Sequence, residues 1–369
     1  MRKSTRWVLG AIALALLAAA CSPDASQSSL EPAGPYADTV DDLFTPVFWV
    51  AVGVFVLVEG ALLWFVIRYR HRRTRTDVPP QIHGNTRLEI GWTILPAVIL
   101  AGVAVPTVAT IFDLAREPSG GNVMQIDVLG HQWWWEFDYP DLQINTANEL
   151  HIPVNTPVYL SLCAAGSGYE AQPAPNECQA DLPVPAGLGL SVIHSFWVPE
   201  LAGKQDVVPG RTNTVWIEAD RPGTYEGQCA EFCGLSHAYM RFHVVAHEAD
   251  EFDAWVRGQQ AEAASASGPA AQGQEVFAAN CIQCHSVNGL TDDAGEPVIG
   301  AIQGPNLTHL MSRECFAGCI FETNTDNLTR WVSDAPSLKP GSLMPSGLNE
   351  LGLTPRQVDA VVAYLETLE

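Results

Sequence analysis

Basic side chains are scarce in this chain once its first third has passed. After Asp113 there are ten Lys and Arg against 32 Asp and Glu, and over all 369 residues the formal net charge is −22. That balance excludes a nucleic-acid surface over most of the length. The one basic run, Arg68-Tyr69-Arg70-His71-Arg72-Arg73-Thr74-Arg75, is wedged between two long apolar stretches, which excludes the same reading there. The excess acid is either a well-solvated surface or a docking surface for basic partners. Also missing are a nucleophile paired with a general base and a metal position left open for substrate, so no substrate-transforming site is legible.

Apolar residues, by contrast, pile up early. Residues 1–20 read as a secretory signal, with Arg2, Lys3 and Arg6 ahead of an apolar run from Trp7 to Ala20. Leu17-Ala18-Ala19-Ala20-Cys21 is similar to a bacterial lipoprotein box, with Ala18 where Leu is usual. Cys21 is therefore a lipidation candidate, and ordinary cleavage after the Ala run is the alternative. Residues 45–113 predict a transmembrane hairpin with spans near Val47–Ile67 and Ile90–Phe112, each long enough for roughly 30 Å of hydrocarbon. The Arg-rich loop between them is retained in the cytoplasm, which puts residues 21–44 and everything after Asp113 outside. Glu59, inside the first span, is expected to face a partner subunit and not lipid.

Residues 116–257 are expected to form one domain, which reads as short strands from Asn122 to His247. Val123 to Val128, Leu150 to Leu162, Thr214 to Glu218 and Arg241 to Val245 are apolar-rich and separated by Gly, Pro and Asn. That spacing predicts a Greek-key β-barrel with metal ligands on loops at one end. Residues 258–272, rich in Ala, Ser, Gly and Gln, predict a flexible linker. Residues 273–369 predict an all-α domain, closed by a helix that Thr354-Pro355 opens and that carries Val358, Val361, Val362 and Leu365 at helical spacing. The chain has nine cysteines, a usage that fits an oxidising compartment. Four of them form two local pairs, Cys163 with Cys178 and Cys315 with Cys319, for which disulfides are the simplest reading. The first loop closes without strain, whereas the i,i+4 pair depends on a bend that the sequence does not reveal.

Two clusters carry chemistry. Cys229-Ala230-Glu231-Phe232-Cys233 is followed by His237 and Met240, with His194 upstream in His194-Ser195-Phe196-Trp197. Two thiolates, two imidazoles and a thioether form a soft donor set that selects copper. A mononuclear blue-copper site needs one Cys, so the second sulfur lets both bridge a copper pair; a zinc knot or a Cys229–Cys233 disulfide is the alternative. The second cluster, Cys281-Ile282-Gln283-Cys284-His285, is the covalent attachment pattern of a c-type haem, with His285 as proximal ligand. Met344, in Lys339-Pro340-Gly341-Ser342-Leu343-Met344-Pro345, is placed to be the axial sulfur, and a zinc or dithiol site is the alternative for the CxxC.

Together these residues resemble subunit II of the cytochrome c oxidases, in the caa-type form with a fused C-terminal cytochrome c. The likeness covers nearly everything after residue 40. It includes Glu89-Ile90-Gly91-Trp92-Thr93-Ile94-Leu95-Pro96, Gly130-His131-Gln132-Trp133-Trp134-Trp135, the His194 motif and the copper loop. The resemblance implies a cupredoxin-like barrel holding the binuclear CuA centre. Cys229 and Cys233 would bridge the coppers, His194 and His237 would bind one each, and Met240 and the Glu231 carbonyl would complete the sites. It further implies a magnesium ion met by the Glu231 carboxylate at the subunit I interface. Trp133 would be the aromatic through which cytochrome c electrons arrive, or plain core alternating with Trp135 on a strand. Glu89 would stand at the mouth of a proton pathway, or simply cap its helix.

The partners implied are subunits I and III and a cytochrome c or cytochrome bc complex as donor. The location implied is the bacterial cytoplasmic membrane, with copper and haem on the periplasmic side. A membrane-anchored carrier serving another CuA-using reductase is the competing reading, and the two-span hairpin with Glu89 argues against it. The insertion ahead of His194, the Cys315–Cys319 pair and the imperfect lipoprotein box depart from the family, and none touches a metal ligand.

Overall fold

The structure is a computed structural model of the chain, describing residues 26–70, 81, 83–118, 122–164, 192–264, 266–290 and 304–369. The leader 1–20, Cys21, the basic residues 71–80 and Cys178 lie outside the described residues.

Helix α1 (Pro35–Tyr69) and helix α2 (Thr86–Leu114) run 35 and 29 residues. Their most apolar stretches have mean hydropathies of 2.5 and 2.2 and bury nothing within the chain. A helix that is apolar all round and packs on no core of its own is built for lipid or a partner. Pro35 opens α1 ahead of the expected span, because a missing N–H costs nothing in a first turn. In α2 the Asn85 side chain accepts from Arg87 N–H and Leu88 N–H, while Asn85 N–H donates to Glu89 Oε1 at 3.2 Å. Glu89 thus closes a reciprocal cap.

Ten strands follow. They are β1 (Met124–His131), β2 (Trp134–Tyr139), β3 (Ile144–Ala147), β4 (Glu149–Pro153), β5 (Val158–Ala164), β6 (His194–Trp197), β7 (Gln205–Val207), β8 (Asn213–Ile217), β9 (Gly223–Cys229) and β10 (Arg241–His247). They form two five-stranded sheets, ordered β3-β2-β1-β5-β8 and β4-β10-β9-β6-β7. Trp135, Phe137, Leu150, Phe196 and Phe242 fill the space between them. The stretch Leu150–Leu162, expected as one strand, is two. Asn155 takes φ 54°, a left-handed value that Asn tolerates, and the chain crosses there from one sheet to the other. Trp133 does not alternate with Trp135 on a strand either: it occupies the turn between β1 and β2.

The segment 258–272, expected as a flexible linker, is held at both ends. Helix α3 (Ala249–Gln259) packs under the barrel and helix α4 (Pro269–Asn280) begins four residues before the expected boundary, again with Pro in its first turn. Between them, Gln260 Nε2 donates to Leu142 O at 2.8 Å, Gln259 Nε2 to Ser312 Oγ at 3.2 Å and Ala263 N–H to Asn288 O at 3.1 Å. The amide side chains that make the composition look like a tether are what pin it to both domains.

The C-terminal domain packs α4 on helix α6 (Pro355–Leu365), with helix α5 (Thr325–Leu338) alongside. Phe277, Leu328, Val332, Val358, Val361, Val362 and Tyr364 form its core. Thr354 and Gln357 close a capping box on α6. A short hairpin, β11 (Cys315–Phe316) with β12 (Phe321–Glu322), interrupts the helical plan.

Candidate metal centres

The copper-type donors meet because strand pairing brings them together. β6 lies antiparallel to β9 with Phe196 opposite Cys229, so His194, at the start of β6, stands beside the last residue of β9. Cys229 N–H donates to Met240 O and Ala230 N–H to Ser195 O, both at 2.9 Å, which ties the two ends of the loop to both strands. Within it the Cys229 and Cys233 sulfurs are 3.8 Å apart. That is too long for a disulfide and within reach of a metal bound to both at roughly 2.3 Å per bond. His194 Nδ1 lies 3.8 Å from Cys229 Sγ, His237 Nδ1 3.6 Å from Cys233 Sγ, Met240 Sδ 3.8 Å from Cys233 Sγ, and the Glu231 carbonyl 3.2 Å from Cys229 Sγ. His194, Cys229, Cys233 and Met240 are all buried.

The Cys233 thiol, with His194 and the backbone at Ser195 and Glu231 adding to it, pulls the Cys229 thiol down against its burial. The same contact pushes Cys233 up. Two unlinked sulfurs 3.8 Å apart, with an imidazole nitrogen facing each, fit a soft cation.

Around this cluster, Gln132 Nε2 and Trp133 Nε1 both donate to Cys233 O, at 2.8 and 3.0 Å. Neither contact is legible in the sequence, since both cross about a hundred residues; the nearness of Trp133 to the site is. The Glu231 carboxylate faces outward, and Phe232 and Leu235 are 72% and 77% exposed. An apolar rim on a metal loop suits a protein partner.

In the C-terminal domain Cys281 ends α4, and its N–H donates to Phe277 O at 2.8 Å. Cys284 and His285 fold back on Cys281 O, each at 3.0 Å. Burial pushes the Cys281 thiol up to about 11, with Cys284 adding to it. His285 Nδ1–H donates to Pro305 O at 2.9 Å. A carbonyl only accepts, so Nδ1 carries the proton and Nε2 keeps its lone pair for a metal. Gly304 makes room for this ring, since a Cβ there would stand 2.6 Å from His285 Cε1. Met344 borders the same core as Cys281, and so does Met311. The residues therefore fit a covalently held haem. The Pro305 contact was not legible, because nothing in the sequence marks a carbonyl as an acceptor.

Family models for the transmembrane domain and the periplasmic domain of cytochrome c oxidase subunit II match residues 24–110 and 174–247, and a cytochrome c model matches 270–369. The cytochrome c oxidase subunit 2 of Alkalihalophilus pseudofirmus is 37% identical over 362 residues, spanning 96% of this chain and 95% of that one. The chain belongs to the cytochrome c oxidase subunit II family. A quinol oxidase subunit 2 of Bacillus cereus is also similar, at 30% identity over 70% of this chain and 82% of its own. The solved periplasmic domain of the Bradyrhizobium japonicum oxidase subunit II covers 38% of this chain and 96% of its own at 27% identity, with a TM-score of 0.31.

As a subunit II with a fused cytochrome c domain, the chain is a membrane-anchored part of an oxidoreductase, with a periplasmic domain and subunit I as partner. The family implies CuA for the copper-type cluster and haem for the C-terminal domain.

Cys315 and Cys319 are joined in a disulfide, their Cα atoms 4.8 Å apart. The bend that allows it is a run of left-handed residues, Ala317, Gly318 and Cys319. Cys163 is disulfide-bonded as well.

Proposed function

We propose that Cys229 and Cys233 would bridge a copper pair, with His194 and His237 binding one copper each and Met240 and the Glu231 carbonyl completing the two sites, and that Cys281, Cys284, His285 and Met344 would hold one haem c. The observation that carries this is the convergence of two unlinked buried sulfurs, 3.8 Å apart, with an imidazole Nδ1 facing each. When bound, these groups supply one-electron carriage from a donor to subunit I, where oxygen is reduced and protons are pumped. The chain's own residues set the terms. His285 is fixed in the tautomer that leaves Nε2 free to ligate iron, and burial keeps water from the Cys229 and Cys233 sulfurs.

The same reading assigns the Glu231 carboxylate to a magnesium ion at the subunit I interface, Trp133 to electron input and Glu89 to a proton pathway. It places the protein in the bacterial cytoplasmic membrane, beside subunit III, with a cytochrome c or cytochrome bc complex as donor. Domain limits at 21–44, 45–113 and 116–257, with the C-terminal domain opening at Pro269, complete it.

Metal analysis and haem quantitation of the purified subunit test the assignment. The expected result is two coppers and one covalent haem per chain, with a mixed-valence electron-spin signal that Cys229→Ser abolishes, because a hydroxyl cannot replace a bridging thiolate. One copper per chain, or zinc in its place, overturns the binuclear reading.

A further inference from the structure

The segment Lys339–Gly341, which leads to Met344, packs on the barrel beside Cys233. Lys339 is 4% exposed, and its Nζ donates to Trp133 O across the domain boundary at 2.5 Å and to Ala317 O of its own domain at 2.7 Å. Among the described residues no carboxylate lies within ion-pair distance of it. Burying a lysine is costly unless its protons are bonded, so this side chain needs both carbonyls and therefore both domains in register.

Trp133 in turn gives its Nε1–H to Cys233 O at 3.0 Å, so two hydrogen bonds link Lys339 to the backbone of a proposed copper ligand. A second tie lies beside it: Ser236, buried next to His237, donates Oγ–H to Pro340 O at 2.6 Å. Gly341, at φ 82°, lies against the indole, where a Cβ would stand 2.6 Å from Trp133 Cη2. Arg241 N–H to Gly318 O at 3.1 Å and Cys315 N–H to buried Glu149 Oε1 at 2.8 Å extend the seam.

We propose that Lys339–Gly341 is a docking latch that fixes the haem domain on the copper-ligand loop, with Lys339 as its positioning residue. Resting on the copper and haem assignments above, the latch replaces a tethered encounter by one set separation and orientation. The step it serves moves one electron, oxidising ferrous iron and reducing the copper pair, with no bond formed or broken and no proton transferred. Geometry is thus what the protein contributes to its rate.

The test uses the full-length subunit in the assembled oxidase, as Lys339→Met and as Gly341→Ala. Transfer from haem to copper is followed after flash injection of an electron into the haem. Each variant is expected to slow that transfer by about tenfold or more. Haem reduction by an external reductant, the haem absorption bands and the mixed-valence copper signal are expected to keep their unmodified values. A merely structural role would not produce that split. Wild-type transfer in both variants overturns the latch. Should Lys339→Met lose copper, Gly341→Ala decides, and a normal rate there overturns it equally. Absence of the copper or haem signal from the unmodified chain would instead defeat the proposed function.

Discussion

At the residue scale, Met344 is the proposed ligand whose role a single substitution isolates. It sits in the loop after α5 and reaches the core that Cys281 also borders. Thioether ligation favours ferrous iron relative to nitrogen or water. Met344→Ala is therefore expected to keep the haem covalently attached while lowering its midpoint potential, read by redox titration. An unchanged potential and ligand-field spectrum would move the assignment to Met311, which borders the same core. Asp138, on β2, offers a different measurement. Burial, with Glu136 and Asp127 adding to it, raises its carboxyl from 3.8 to about 6. The folded state then binds more protons than the unfolded state between those values, so stability falls as pH rises across that window. The contribution is complete below about 3.8 and gone above about 6. Asp138→Asn is expected to flatten this part of the stability–pH curve and to raise the melting temperature at pH near neutrality. A parallel, unshifted curve would show that Asp138 is solvated in solution.

At the scale of elements, what the sequence reveals depends on how local the determining contacts are. The two membrane helices, the CxxCH turn and the spacing of the copper loop are local patterns, legible before any fold is known. β6 and β7, of four and three residues, are not: they exist because β9 and each other supply their hydrogen bonds. The break at Asn155 and the left-handed run through Ala317, Gly318 and Cys319 were equally hidden, since tertiary contacts choose those dihedrals. So were the amides of Gln259 and Gln260, whose partners are 53 and 118 residues away. For the site, donor types and spacing could be read, whereas the carbonyls that orient the donors could not. Cys163 is the next-to-last residue of β5, and Cys178 lies in the sequence between β5 and β6. Non-reducing peptide mapping is expected to recover it linked to Cys178. Cys163→Ser should then cost about 3 kcal/mol, the chain-entropy value for a loop of about 15 residues. Recovery of two alkylatable thiols from the exported protein would refute the pairing.

At the scale of the whole molecule, charge and docking divide the work between two kinds of encounter. The chain carries a net charge of −22, and nearly all of it lies beyond the second membrane helix. A surface of one sign steers an oppositely charged donor over distances longer than a contact, and salt screens that attraction with a Debye length of about 8 Å at physiological strength. The haem-to-copper seam is different, because its ties are buried hydrogen bonds made through Lys339, Ser236 and the Cys315 backbone. Raising ionic strength from about 20 mM to about 500 mM is therefore expected to lower the bimolecular rate of haem reduction by a basic cytochrome c steeply. The intramolecular rate from haem to copper should stay constant over the same range. A salt-independent bimolecular rate would mean that the acid serves solvation alone. A salt-dependent intramolecular rate would mean that the two domains meet through their surface charge, and that the buried ties seen here do not hold them together in solution.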